Sequence, residues 1–222
     1  MNKQIDKEQL FSCFKDGMTV MIGGFMGNGA PEGLIDLLLE SKVREITLIS
    51  TDTAFEQIGS GRLISAKRVS RLIASHIGLN PETGRQMNSE ELHVELVPQG
   101  TLAERIRCAG AGLGGFLTPT GLGTLVAESK QTLRVEGKEY LLETPLFADL
   151  ALIKGSQVDP CGNVFYRGTT QNFNPLMATA ANKVIVEAGE LVETGGSRLK
   201  RFTLRGSMST TSIRERSYDC SR

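Results

Sequence analysis

Four glycines fall within seven residues of this 222-residue chain, in the run Gly23-Gly24-Phe25-Met26-Gly27-Asn28-Gly29. Glycine tolerates positive φ and lets another group come close to the backbone. The run follows an apolar stretch, Met18–Ile22, and precedes Pro31, which opens a helical pattern. Proline suits a first helical position, and a helix N-terminus offers unpaired N–H groups and a positive dipole to phosphate. The chemistry these residues suit is therefore the holding of a nucleotide or a coenzyme A group. A tight strand-to-helix turn without any ligand accounts for the same glycines. The spacing is not G-x-G-x-x-G, and no Gly-Lys-Ser/Thr occurs, so the common dinucleotide and nucleoside-triphosphate motifs are absent.

Other polar residues stand at element ends. Gln99, in Pro98-Gln99-Gly100-Thr101, falls where a strand pattern passes into a helix. Its amide suits an oxyanion or a carboxylate, and it suits a cap on its own helix as well. Asn172 and Asn174 read as turn residues. His93 alternates with Val94 and Leu96, as an exposed strand residue does. His76 lies at a strand end, where active-site loops gather in α/β sheets, and neither histidine is expected to act as a base. Cys13, Cys108, Cys161 and Cys220 match no zinc or redox spacing. They read as reduced thiols, and no metal site is expected.

These residues need elements to position them. Apolar spacing predicts a helix over 7–15, a strand over Met18–Ile22 and a helix from Pro31, with Leu34, Leu37 and Leu38 inward. Further strands are expected at Glu45–Ser50, Arg71–Ser75, His93–Pro98, Asp149–Lys154 and Lys183–Ala188, with helices at Gln99–Ala109 and near Pro175–Ala181. Strands and helices alternate, and several strands are continuously apolar. That pattern predicts an α/β fold, an open, mainly parallel sheet covered by helices. A second glycine tract, Ala109–Thr124, is too rich in Gly and Thr for a helix and too apolar for a plain linker.

Lys plus Arg and Asp plus Glu both number 25, so the formal charge is zero. This gives no whole-chain electrostatic case for nucleic acid or an anionic membrane. No apolar run approaches the roughly 20 residues of a membrane span, and the N-terminal segment lacks the apolar core of a secretory signal. The expectation is a cytoplasmic protein with no nucleic-acid or membrane partner. Residues 1–196 read as one domain and 197–222 as an atypical basic tail. Seven basic residues against two acidic ones give the tail +5. Its composition is poor in hydrophobic periodicity and supports no assigned structure.

Longer segments carry a resemblance. DGMTVMIGGFMGNGAPEGLIDLL is similar to the N-terminal signature of family I CoA-transferase alpha subunits. ASHIGLNPETGRQM (74–87), VELVPQGTLAERIRCAGAGLGGFLTPTGLGT (94–124), FADLALIKG (147–155), NFNPLMATAA (172–181) and VIVEAGELVETG (184–195) continue it in order. The segment around His76 resembles the acetate/acetoacetate branch more than the succinyl-CoA branch.

The resemblance implies a beta subunit of similar fold, as a heterodimer or α2β2 assembly. It implies short-chain acyl-CoA and carboxylic acid substrates, with coenzyme A as co-substrate and no permanently bound cofactor. The nucleophilic glutamate belongs to a Glu-x-Gly-x-x-Gly-like motif of the beta subunit; here Glu32-Gly33 and Glu136-Gly137 lack the rest. No catalytic residue is therefore expected in this chain, beyond oxyanion or substrate support from Gln99. Gly23, Gly24, Phe25, Met26, Gly27, Asn28 and Gly29 correspond to the segment assigned to CoA binding, and 114–121 reads as a loop bordering the acyl pocket or as a structural interface loop. Beside this stand a non-catalytic ligand-binding α/β module and a stand-alone sugar-phosphate isomerase or CoA-ester hydrolase. The likeness stops near Gly195-Gly196, before the expected Thr-Pro-Gly-like ending and its final strand. We read this as a reading-frame shift near codon 196, with a real divergent tail as the alternative; an adjacent frame restoring that ending would support the shift. A lost final strand would leave a sheet edge uncovered.

Overall fold

A computed structural model describes residues 3–194 and 210–214. Its centre is a sheet in the order β11-β10-β8-β1-β2-β3-β4. The inner strands are β1 (Thr19–Ile22), β2 (Ile46–Ile49), β3 (Val69–Ala74), β8 (Ala148–Val158) and β10 (Ala181–Leu191), with β4 (His93–Leu96) at one edge. All pair in parallel, and among the described residues of this sheet only the two-residue β9 (Val164–Phe165) runs antiparallel, on β8. The backbone of β11 (Thr210–Arg214) lies parallel to β10, with Val184 opposite Thr210. A strand thus stands beside β10 within the segment to which the sequence reading assigned no structure. The remainder of that tail lies outside the described residues.

Alternate strand residues point to opposite faces, and both faces are covered. Val20, Ile22, Leu48, Leu72, Leu152 and Ile185 pack beneath α1 (Lys7–Phe11), α2 (Glu32–Glu40) and α3 (Gly61–Ser65). Met21, Ile49, Ile73, Ile153, Val184 and Val186 pack beneath α5 (Gln99–Gly110) and α6 (Asn174–Met177). Each fully buried Leu or Ile contributes about 1.5–3 kcal/mol of transfer free energy. The continuously apolar strands predicted from sequence are those covered on both sides.

Three features departed from the sequence reading. The helix expected over 7–15 ends at Phe11. A helix α4 (Pro81–Asn88) forms although its sequence, PETGRQMN, has no apolar stripe. It is held by caps and polar burial: the Asn80 side chain accepts from the Thr83 N–H, and Gln86 Nε2 donates to the Ile64 carbonyl at 2.9 Å. The tract after α5 opens a second sheet, β5-β7-β6, from Phe116–Thr118, Lys138–Glu143 and Thr132–Val135.

A chain of charges fastens this small sheet to the edge of the large one. Arg71 and Arg105 both pair with Glu95, at 2.7 and 2.9 Å. Arg105 also approaches Glu143, which is 2 % exposed and pairs with Lys130. Burial works to raise the Glu95 carboxyl, but the hydrogen bonds and charges of Arg105 and Arg71 outweigh it and hold it below its ordinary value. Among the described residues, no helix is long and apolar enough to cross a membrane.

Candidate functional site at the carboxyl edge of the sheet

The loops leaving β1, β2, β3 and β4 meet in a row. The Thr51 hydroxyl donates to the Gly24 carbonyl at 2.7 Å. Asp52, 4 % exposed, accepts from Met26 N–H at 2.9 Å and from Ala54 N–H at 2.7 Å. One buried carboxylate therefore ties the glycine turn to the loop after β2. The Ser75 N–H donates to the Thr51 carbonyl at 3.0 Å, and the Ser75 hydroxyl reaches both that carbonyl and the Gln99 side-chain oxygen.

A second clamp comes from the start of α6 and the residues just before it. Asn174 is fully buried; its amide donates to the carbonyls of Gly29 at 3.0 Å and Thr170 at 2.7 Å, and its oxygen accepts from Lys154 N–H at 3.2 Å. Asn172 donates to the Asn28 carbonyl at 3.1 Å. The two asparagines read as turn residues thus fix the glycine turn across more than a hundred residues of sequence.

This packing explains the glycines. A Cβ on Gly23 would stand 1.8 Å from Asn174 Oδ1. At Gly27, φ is 84° and a Cβ would meet Ile58 Cγ2 at 2.4 Å. The close approaches are made by the protein's own side chains, as the turn reading requires. The space left behind the turn, between Gly24, Gly27, Asp52, Ala54 and Gly59, is about 10 Å³, room for about one water.

The α2 N-terminus is also used internally. Glu187, 1 % exposed, accepts from Leu34 N–H at 2.9 Å and pairs with Lys154 at 3.1 Å. Its carboxylate occupies the dipole end that the sequence reading offered to a phosphate. Glu32 accepts from Gly59 N–H at 2.7 Å and, with Asp36, binds Arg62. Burial acts to lower the Arg62 guanidinium, and the hydrogen bonds and charges of Asp36 and Glu32 raise it instead.

Gln99 is exposed at the first position of α5 and makes no cap on its own helix. Its Nε2 has no partner among the described residues. The N–H groups of Gly24, Gly27 and Gly29 are likewise without one. His76 pairs through its backbone with Asp52, beside the row, while His93 is exposed on β4. Among the described residues neither histidine hydrogen-bonds a nucleophilic side chain. Gly114–Gly121 goes to the small sheet, where Phe116 pairs with Glu143. Sequence reasoning missed Asp52, Ser75 and Glu187; an acid just past a strand end and an acid inside an apolar strand were the available signals.

The sequence pattern of the coenzyme A transferase family matches residues 7–208. The chain belongs to the coenzyme A transferase family. It is 62 % identical over 182 residues to the acetate CoA-transferase subunit alpha of Escherichia coli, covering 82 % of this chain and 83 % of that protein. It is 58 % identical over 193 residues to the acetoacetyl-CoA:acetate/butyrate CoA transferase alpha subunit of Clostridium acetobutylicum, covering 86 % and 88 %. Both family members are named as alpha subunits, which implies a partner subunit. The fold matches that of an acyl-CoA transferase from Escherichia coli O157:H7, with TM-score 0.81 at 18 % identity over 96 % of this chain. The chain spans about half the length of that protein, 47 %. The family match runs beyond Gly196, where the likeness read from the sequence stopped.

Proposed function

We propose that the chain is the alpha subunit of a transferase that moves coenzyme A between short-chain acyl-CoAs and short-chain acids such as acetate, butyrate or acetoacetate, in the cytoplasm. The observation carrying this reading is the row of interlocked loops that sets the glycine turn and Gln99 on one edge of the sheet, in a chain with 62 % identity to an acetate CoA-transferase alpha subunit. The partner beta subunit, in a heterodimer or α2β2 assembly, supplies the nucleophilic glutamate. Its carboxylate attacks the thioester carbonyl and expels CoA thiolate, leaving an acyl-glutamyl anhydride. The thiolate then attacks the glutamyl carbonyl, releases the first acid and leaves a glutamyl-CoA thioester. The acceptor acid reverses both steps. Gly23–Gly29 borders the acyl-CoA, and the Gln99 amide donates to the oxyanion formed at each addition.

The test is a transferase assay on the purified chain, alone and with its co-produced partner, following acetoacetyl-CoA consumption with acetate. Activity in the mixture only is the expected result. Activity from the chain alone would place the nucleophile here and overturn the reading.

A further inference from the structure

The strand β3 ends at Ala74 and β4 at Leu96, and the Val97 N–H, donating to the Ala74 carbonyl at 2.9 Å, carries their pairing past the last strand residue. That pairing brings Ser75, just beyond β3, against Gln99 at the start of α5. The backbone around Gln99 is fixed by the helix start, where the Pro98 carbonyl accepts from Leu102 N–H at 2.8 Å. Its side chain has no such support. It is exposed, and among the described residues its hydrogen bond is to the Ser75 hydroxyl alone. Without that bond a glutamine on the surface samples many rotamers.

A hydroxyl carries a single proton, and the Ser75 hydroxyl reaches two acceptors, the Thr51 carbonyl at 2.6 Å and the Gln99 side-chain oxygen. The Thr51 carbonyl also accepts from Ser75 N–H at 3.0 Å, so it keeps a partner when the hydroxyl turns away from it. Given to Gln99, the proton holds the amide oxygen against Ser75 and leaves the Nε2 hydrogens unpaired. Given to Thr51, it lets the amide turn over, donate to Ser75 and offer its oxygen instead. A developing negative charge beside Gln99 favours the first arrangement, because it is drawn to N–H and repelled by a carbonyl oxygen.

From this we infer that Ser75 is a positioning residue: its hydroxyl holds the Gln99 amide with Nε2 outward for the oxyanion, without itself touching the acyl group or coenzyme A. This rests on the transferase reading above and names what aims its donor. A donor aimed beforehand costs no reorganisation at the moment of reaction, whereas a loose glutamine gives up rotamer freedom at each addition. The loss of Ser75 therefore falls on kcat and spares KM.

The experiment uses the chain assembled with its partner. kcat and KM for acetoacetyl-CoA and acetate are measured in wild type, Ser75→Ala, Ser75→Thr, Gln99→Ala and the double variant Ser75→Ala/Gln99→Ala. Ser75→Ala should lower kcat about 10-fold and leave each KM within about twofold. Ser75→Thr keeps the hydroxyl and should stay within about twofold of the wild-type kcat. The double variant should be no slower than Gln99→Ala, because Ser75 acts only through that amide. Losses that multiply in the double variant overturn the inference, as do a threonine variant as slow as the alanine variant and a loss carried in KM. So does a wild-type kcat in Ser75→Ala or Gln99→Ala; in all these cases transfer persists and the transferase reading stands. Failure of Ser75→Ala to assemble with the partner on size exclusion makes the serine structural and overturns the inference too. A wild-type assembly that transfers nothing sinks the transferase reading, and this inference with it.

Discussion

At the carboxyl end of the parallel sheet, the loops after β1, β2, β3 and β4 interlock, and those after β1 and β2 leave a space of about 10 Å³ between them. At the amino end, Cys13, Lys15, Asp16, Asp149 and Lys183 surround an open groove of about 510 Å³. Of these two, the amino-end groove is much the larger. The carboxyl end nevertheless holds the clamped backbone, the partnerless N–H groups and Gln99. Parallel sheets place ligands at that end because the loops converge where the strands end. In a subunit that works with a partner, a shallow rim completed by another chain need not enclose a cavity of its own.

The comparison breaks most visibly at Gly23. Replacing it with alanine drives a methyl into Asn174 and forces apart bonds to Gly29, Thr170 and Lys154. Gly23→Ala should cost about 3 kcal/mol in urea unfolding and abolish transfer; wild-type stability would show that the clamp is not needed.

Gln99→Ala comes next. It removes a surface amide bound to Ser75, so the melting temperature should hold while kcat falls about 100-fold. A fall in melting temperature with kcat retained would make Gln99 a structural residue only.

The smallest effect belongs to the amino end. Lys183→Met removes an ammonium lying 3.3 Å from Cys13 Sγ. Away from the reacting groups it should change transfer by no more than about twofold. A large loss would move the site to the wide groove.

Much of the fold was legible because covered strands need continuous apolar runs, as in Val20–Ile22 and Val184–Val186. The helix α4 was not, since it is held by Asn80, Gln86 and Arg85 rather than by an apolar face. The small sheet was hidden by short strands that are half exposed, with neither period clear. At the site, the sequence pointed to the glycine turn and to Gln99. It offered the α2 N-terminus to a phosphate, with a turn that holds no ligand as the other reading, because the residue that fills it, Glu187, lies 153 positions away from Leu34.

By itself, then, the sequence determined the α/β class, the order of the main elements and the membership of a transferase family, because periodicity and ordered motifs are local properties. The tertiary structure decided why Gly23 must be glycine, which acid caps α2 and which side chains border the glycine turn. Those are contacts between residues far apart in the chain, and only the closing of the sheet brings Asn174, Asp52 and Glu187 against the glycine turn and the helix that follows it.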